Sequence, residues 1–188
     1  MFTWIQQIDE QILLFLQAHS TPFLDALTPA LTYLGSGGIL WIVAALALLA
    51  SKKYRPYGTG MLLSLLLGLI IGNGVIKHLV MRLRPCDAAP IAHMLIAHPA
   101  DLYSFPSGHA LSSFAAASVL YRADKRLGIP ALALAALISF SRIYLYVHYP
   151  SDILAGALLG LAVAFLGMKL NAFLWVKWQN RVQNRTRL

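Results

Sequence analysis

Residues 58–85 read "GTGMLLSLLLGLIIGNGVIKHLVMRLRP". The run stays apolar from Gly58 to about Met81, enough for the roughly 20 residues that a bilayer core of about 30 Å requires. Its far end carries Lys77, Arg82 and Arg84. Inside a bilayer every main-chain polar group needs an internal partner, which a helix supplies. The whole chain agrees with that reading: of 188 residues, 59% are hydrophobic and 12% charged, against about 25% charged in soluble domains. The expected fold is therefore all-α, a polytopic membrane helical bundle.

Working outward, a second apolar run follows "GSGG" at 35–38 and reaches about Ala50, and further runs occupy 107–121, 130–147 and 151–176. With 58–81 that makes five expected spans. Residues 22–34 are a candidate sixth, with Thr21 as N-cap, Pro22 in the first turn and a kink at Pro29. Residues 3–19 place Ile5, Ile8, Ile12, Phe15 and Leu16 at helical spacing, with Gln6, Gln7, Asp9, Glu10 and Gln17 on other faces. This predicts an amphipathic helix lying at the interface. With no internal repeat or linker, residues 1–188 read as one domain.

The formal net charge of +8 does not point to nucleic acid, which needs basic residues gathered on one face. Here they punctuate the apolar runs: Lys52, Lys53 and Arg55; Arg122, Lys125 and Arg126; Lys177, Arg181, Arg185 and Arg187. The positive-inside rule puts these clusters, and the C-terminus, in the cytoplasm. Alternating the spans then places the 82–105 connection and the 148–151 junction together on the outer face. Cys86 is the only cysteine, so no intrachain disulfide forms. The opening "MFTWIQQIDE" lacks the basic start and apolar core of a cleaved signal peptide.

Four of the five remaining basic residues, Lys77, Arg82, Arg84 and Arg142 but not Lys169, fall near outer ends of spans. Cations at membrane depth cost about 2.5 to 3.5 kcal/mol each and mark functional cavities, so an anionic ligand is expected. Lys77 and Arg84 would share a helix face about 10 Å apart in rise if the helix ran on to Pro85. The alternative is that both merely anchor at the headgroups. "SFPSGHALSS" at 104–113 sets Pro106, Ser107 and Gly108 at a helix start, where free N–H groups form an anion cradle, or simply begin a helix. His109 follows. "SRIYLYVHYPSD" at 141–152 puts Asp152 four residues after His148, a spacing that suits a carboxylate holding one ring nitrogen, or a helix cap. His19, His78, His93 and His98 carry no supporting pattern.

Together, "KHLVMRLRP" at 77–85, "PSGH" at 106–109 and "SRIYLYVHYPSD" at 141–152 resemble the type 2 phosphatidic acid phosphatase family, which shares a site with vanadium haloperoxidases and glucose-6-phosphatase. The resemblance covers roughly 58–170. It implies that His148 is a nucleophile forming a phosphohistidine, that Asp152 orients it, and that His109 is the general acid and then base. It implies further that Lys77, Arg84, Ser107, Gly108 and Arg142 hold the phosphoryl oxygens, with no metal and no cofactor. Phosphoryl transfer relies on positioning and on stabilising equatorial oxygens, which such cations and a helix start can supply. A neutral His148 and a protonated His109 predict a bell-shaped pH profile.

The expected function is hydrolysis of a lipid phosphate or diphosphate at the outer face of a bacterial plasma membrane. The resemblance to small members of this family implies undecaprenyl diphosphate as the preferred substrate, with phosphatidylglycerol phosphate or phosphatidic acid as the alternative. A metal hydrolase built on His109, His148 and Asp152 would want more carboxylates than Asp87, Asp101 and Asp152 provide. A small transporter or flippase is a further alternative, though internal repeats would be expected. The partners implied are the lipid substrate and the bilayer, with no nucleic acid; oligomeric state is not legible. The 85–105 loop, with Asp87, His93, His98, Asp101 and Tyr103, is where headgroup selectivity would reside.

Overall fold

The computed structural model describes residues 3–91 and 93–185, with side chains at 4–91 and 93–177. In chain order the helices are α1 (Thr3–Ala18), α2 (Pro22–Leu34), α3 (Ile39–Ala50), α4 (Arg55–Gly68), α5 (Lys77–Val80), α6 (Pro85–Ala88), α7 (Gly108–Ala123), α8 (Lys125–Tyr144) and α9 (Pro150–Arg185). Among the described residues there is no strand, only an isolated antiparallel bridge between Leu83 and Tyr103.

Among the described residues four helical stretches are long and apolar enough to cross a membrane: Pro22–Ala50, Arg55–Val80, Lys125–Tyr144 and Pro150–Lys177. The candidate sixth segment, 22–34, does not form a stretch of its own among these residues. Residues 22–34 run on into α3 through a 3-10 turn at Ser36–Gly38, where Gly37 and Gly38 adopt positive φ (61° and 68°). That backbone favours glycine, so the bend sits at "GSGG", while α2 continues through Pro29. As expected, Thr21 caps α2, accepting from the Leu24 N–H at 3.3 Å. The Arg55–Val80 stretch opens into a π-helix at Leu69–Ile76.

α7 is only 16 residues long yet lies at the centre of the bundle, with Ala110, Ala115, Ala116 and Ala117 fully buried. Small residues let α9 press against it. A Cβ on Gly156 would lie 2.6 Å from the Ser107 carbonyl oxygen, and one on Gly160 2.6 Å from that of Leu111. This is the close approach typical of membrane helices. The opposite stripe of α9, Leu154, Leu158, Leu161 and Phe165, is exposed, which leaves apolar surface outward, as lipid contact requires.

The basic clusters and the motifs occupy opposite ends. Tyr54 reaches Asp124 (3.3 Å) and Asn171 reaches the Pro56 carbonyl (2.7 Å) at one end. Of the third cluster, the side chains of Arg181 and Arg185 and all of Arg187 lie outside the described residues. At the other end α1 docks on α8, with Gln17 donating to the Tyr144 carbonyl at 3.3 Å. The polar face expected of α1 is divided. Asp9 is buried and points into the protein beside Leu13, whereas Ile8, Ile12 and Phe15 face outward.

Two local expectations are corrected. The helix carrying Lys77 stops at Val80, because Met81 takes a left-handed conformation (φ 49°), so Lys77 and Arg84 do not share a helix face. Pro85 begins α6 instead of ending a helix. Pro106 precedes the N-cap of α7, Ser107, and so stands outside the helix it was expected to start.

Candidate active site

The three sequence motifs close on one cavity of about 630 Å³. Six of the eight expected site residues line it: Lys77, Arg84, Gly108, His109, Arg142 and His148. Ser107 and Asp152 stand behind, both fully buried. The polar end of the cavity continues into apolar walls that include Ile42, Leu62, Leu65 and Leu69.

Each contributor owes its place to local structure. The wide π turn faces Lys77 and, four residues earlier, Asn73 into the cavity; such turns recur at functional sites. The Leu83–Tyr103 bridge keeps residues 82–84 extended, which projects Arg82 and Arg84 to the same side. α8 ends at Tyr144, and the chain then turns sharply, with the Val147 and His148 N–H groups both donating to the Arg142 carbonyl at 3.2 Å. That turn brings Arg142 and His148 together although six residues do not make one helix face.

Arg84 spans the site. Its Nε donates to the Asp101 carbonyl at 2.8 Å, and its Nη1 donates to the Val147 carbonyl at 2.8 Å and to His148 Nε2 at 3.0 Å. An arginine has only donors, so Nε2 accepts and the ring proton sits on Nδ1, 3.5 Å from Asp152 Oδ2. That carboxylate oxygen also accepts from the Tyr149 N–H at 2.9 Å. Asp152 thus faces the histidine and caps α9 at once. Burial, then the charges of Arg84 and Arg142, push His148 well below its ordinary 6.5, so the ring is neutral.

Asp101, on the connection, bridges Lys77 and Arg84. Partial burial works against its charge, but the Lys77 bond and the Arg84 charge prevail and hold it at about 2. Arg142 donates to Thr32 Oγ1. Among the described residues, Asn73 Oδ1, His109 Nε2, Arg142 Nε and His148 Nδ1 are buried without a hydrogen-bond partner. Three cations, Lys77, Arg84 and Arg142, line the cavity and one carboxylate, Asp101, bridges only the first two, an arrangement suited to a multiply charged anion.

Gly108 opens α7, and a Cβ there would press on Asn73, 3.1 Å from its Oδ1. Ser107 caps the helix, its Oγ accepting from the Ala110 N–H at 3.4 Å, and its own N–H donates to the Asp152 carbonyl at 3.1 Å. Asn73, Thr32 and the Asp101 bridge are absent from the sequence reading. Only the spacing of Asn73 and Lys77 on one helix face offered a signal.

Residues 57–176 match the PAP2 superfamily model. An undecaprenyl-diphosphatase of Sulfolobus acidocaldarius is 35% identical over 134 residues, 71% of this chain and 64% of that protein, so the chain spans under two thirds of that relative's length. Phosphatidylglycerophosphatase B of Bacillus subtilis is 30% identical over 86% of this chain and 82% of its own. Among solved structures, Aquifex aeolicus LpxE superposes with a TM-score of 0.73 at 26% identity, covering 85% of this chain and 93% of that one. The PAP2 type phosphatidylglycerolphosphate phosphatase of Bacillus subtilis gives 0.71 at 28% identity over 89% and 86%. By motif, fold and kinship, this chain belongs to the PAP2 superfamily.

Proposed function

We propose that the protein hydrolyses the phosphate or diphosphate of a membrane lipid through a phosphohistidine, without a metal. The observation that carries this is the neutral His148, held between Arg84 and Asp152 at the wall of a cavity with three cations at one end and apolar walls beyond. His148 Nε2 attacks phosphorus, and the Nδ1 proton faces Asp152 as positive charge develops on the ring. Arg84 leaves Nε2 for a phosphoryl oxygen, with Lys77, Arg142, Ser107 and the Gly108 N–H as further donors. The P–O bond to the leaving group breaks, and that oxygen takes a proton from His109. Water, deprotonated by His109, then attacks the phosphohistidine, releasing phosphate and restoring both rings. The cations supply the charge that other phosphatases obtain from metal ions.

Undecaprenyl diphosphate is the substrate we favour, in line with the named activity of the Sulfolobus relative. Phosphatidylglycerol phosphate is the second reading, favoured by the coverage of phosphatidylglycerophosphatase B and by the Bacillus structure. In either case the apolar walls would receive the first carbons of the lipid. We place the site on the outer face, with α7 as a fifth crossing, because the basic clusters occupy the other end, and α1 at that outer interface.

The deciding experiment is phosphate release by purified protein in detergent with excess chelator, offering undecaprenyl diphosphate, phosphatidylglycerol phosphate and phosphatidic acid. Release that persists in chelator and disappears in His148→Ala is expected. Release that stops in chelator and returns with a divalent metal would overturn the mechanism.

A further inference from the structure

The proposed reaction leaves one buried carboxylate without a role. Asp9, on α1, is 2% exposed, and both of its oxygens are engaged. Oδ1 accepts from the Ser151 N–H at 2.9 Å; Oδ2 accepts from Arg82 Nη2 at 2.7 Å and from the Ser151 hydroxyl. Arg82 in turn donates from Nη1 to Asp152 Oδ1 at 2.8 Å and to Ser151 Oγ at 2.7 Å, and from Nη2 to Gln6 Oε1 at 2.6 Å. Its guanidinium lies 3.8 Å over the Tyr149 ring. The N-terminal helix, the 81–107 connection and the first turn of α9 are thus joined around the carboxylate that faces His148.

We propose that Asp9 and Arg82 are positioning residues for this reaction, fixing Asp152 so that its Oδ2 orients His148, which makes α1 a working part of the site. The inference rests on the phosphatase reading above. Its logic is charge and geometry. Arg82 bonded to Asp152 alone would neutralise the carboxylate that the His148 ring needs as it becomes positive. Asp9 balances Arg82 and leaves one net negative charge facing the ring. The two oxygens of Asp152 are also divided, Oδ1 accepting from Arg82 and Oδ2 from the Tyr149 N–H while it faces the imidazole Nδ1 at 3.5 Å, which fixes the carboxylate plane. Buried charge networks of this kind contribute little to stability compared with apolar packing, so stability alone does not account for it.

The test uses the full chain in detergent and the variants Asp9→Asn, which keeps size but removes the charge and one acceptor oxygen, and Arg82→Lys, which keeps the charge but loses the fork of donors, alone and combined with Asp152→Asn. The expected result is a fall in kcat of about 10- to 10²-fold, with KM and inhibition by inorganic phosphate within about threefold, because the phosphate clamp is untouched. In the Asp152→Asn background the added losses should vanish, since residues acting as one unit are not additive. The ¹⁵N signals of the His148 ring, read without turnover, should move from the Nδ1–H tautomer toward a mixture. Unchanged kcat and tautomer, or a loss equally large in the Asp152→Asn background, would overturn the positioning role. A tautomer shift in variants of a protein whose wild type releases no phosphate would refute the phosphatase reading instead.

Discussion

Arg82 and Arg84 stand two positions apart on one extended stretch and face the same dyad, yet their surroundings are opposite. Arg82 touches Asp152 and is enclosed by two buried carboxylates, with side chains 3% (Asp9) and 0% (Asp152) exposed. Arg84 touches His148 and shares with Lys77 a single carboxylate, Asp101, that is 53% exposed. One cation is fully balanced inside the protein, whereas the other belongs to a group carrying surplus charge into a cavity. The difference separates an arginine enclosed by buried carboxylates from one that, in the proposed reaction, exchanges its bonds to His148 and Asp101 for a phosphoryl oxygen.

The largest effect expected from breaking this contrast is on Arg84. Arg84→Gln removes what we propose is a donor to the phosphoryl group and should lower kcat by about 10² to 10³, the range seen when one oxyanion donor is lost. Inhibition by inorganic phosphate should weaken in parallel, while the melting temperature falls only modestly, since the abandoned Asp101 is already half in solvent and the Val147 carbonyl is the buried group that loses its Arg84 donor. Undiminished phosphate inhibition would remove Arg84 from the clamp. Arg82→Leu reverses the pattern. It leaves Asp9 and Asp152 buried and unpaired, a loss on the order of 3 to 5 kcal/mol that thermal unfolding in detergent will register.

This contrast also marks what the sequence revealed. Four of the five expected spans coincide with stretches long and apolar enough to cross, while the expected 107–121 span is the 16-residue α7 and is not among them. Those four were readable because an apolar run of membrane length admits almost nothing but a helix, and the cations were conspicuous because lipid makes them costly. The residues of the proposed dyad and clamp stood out as motif residues, and six of the eight line one cavity. Their arrangement was not, because it depends on non-helical backbone: the left-handed Met81, the bridge at Leu83 and the turn after Tyr144. Asp9 read as part of a polar face because helical periodicity assigns residues to faces without saying which face meets protein. Its partner Arg82 lies 73 residues away, beyond any local pattern. Gly37 and Gly38 were visible as "GSGG" but read as a break between spans, since their positive φ is a property of the folded chain.

A third effect concerns acid. His148 is buried and held neutral, with its folded value well below 6.5, whereas an unfolded histidine takes up a proton near 6.5. The sign follows: above about 6.5 neither state is protonated and the group is neutral to stability, and below it the unfolded state binds the extra proton. The ligand-free protein should therefore lose up to about 1.4 kcal/mol per pH unit below 6.5 from this residue. His148→Gln should flatten the fall of melting temperature between about pH 6.5 and 5. An equal fall in both proteins would show that the ring protonates freely in the fold. Saturating inorganic phosphate should also flatten the wild-type curve, because an anion beside the ring favours its charged form.

The smallest effect belongs to Asp101, the carboxylate that separates the two arginines in kind. It bridges Lys77 and Arg84, where the proposed reaction would place a phosphoryl oxygen, so that on this reading the ligand displaces it. Asp101→Asn removes the competing charge and should tighten inorganic phosphate by roughly fivefold, about 1 kcal/mol for a half-exposed pair. The carboxyl is held at about 2, so its pairing with the cations persists above that value and is lost only as pH falls through it. The ratio of wild-type to variant affinity should therefore stay constant between about pH 4 and 8. A ratio that shrinks toward pH 4 would mean that Asp101 takes up a proton in that range and is held less firmly by Lys77 and Arg84. Weaker phosphate binding in the variant would mean that Asp101 arranges the clamp for its ligand instead of competing with it, and the contrast between a balanced Arg82 and an open Arg84 would then have to be redrawn.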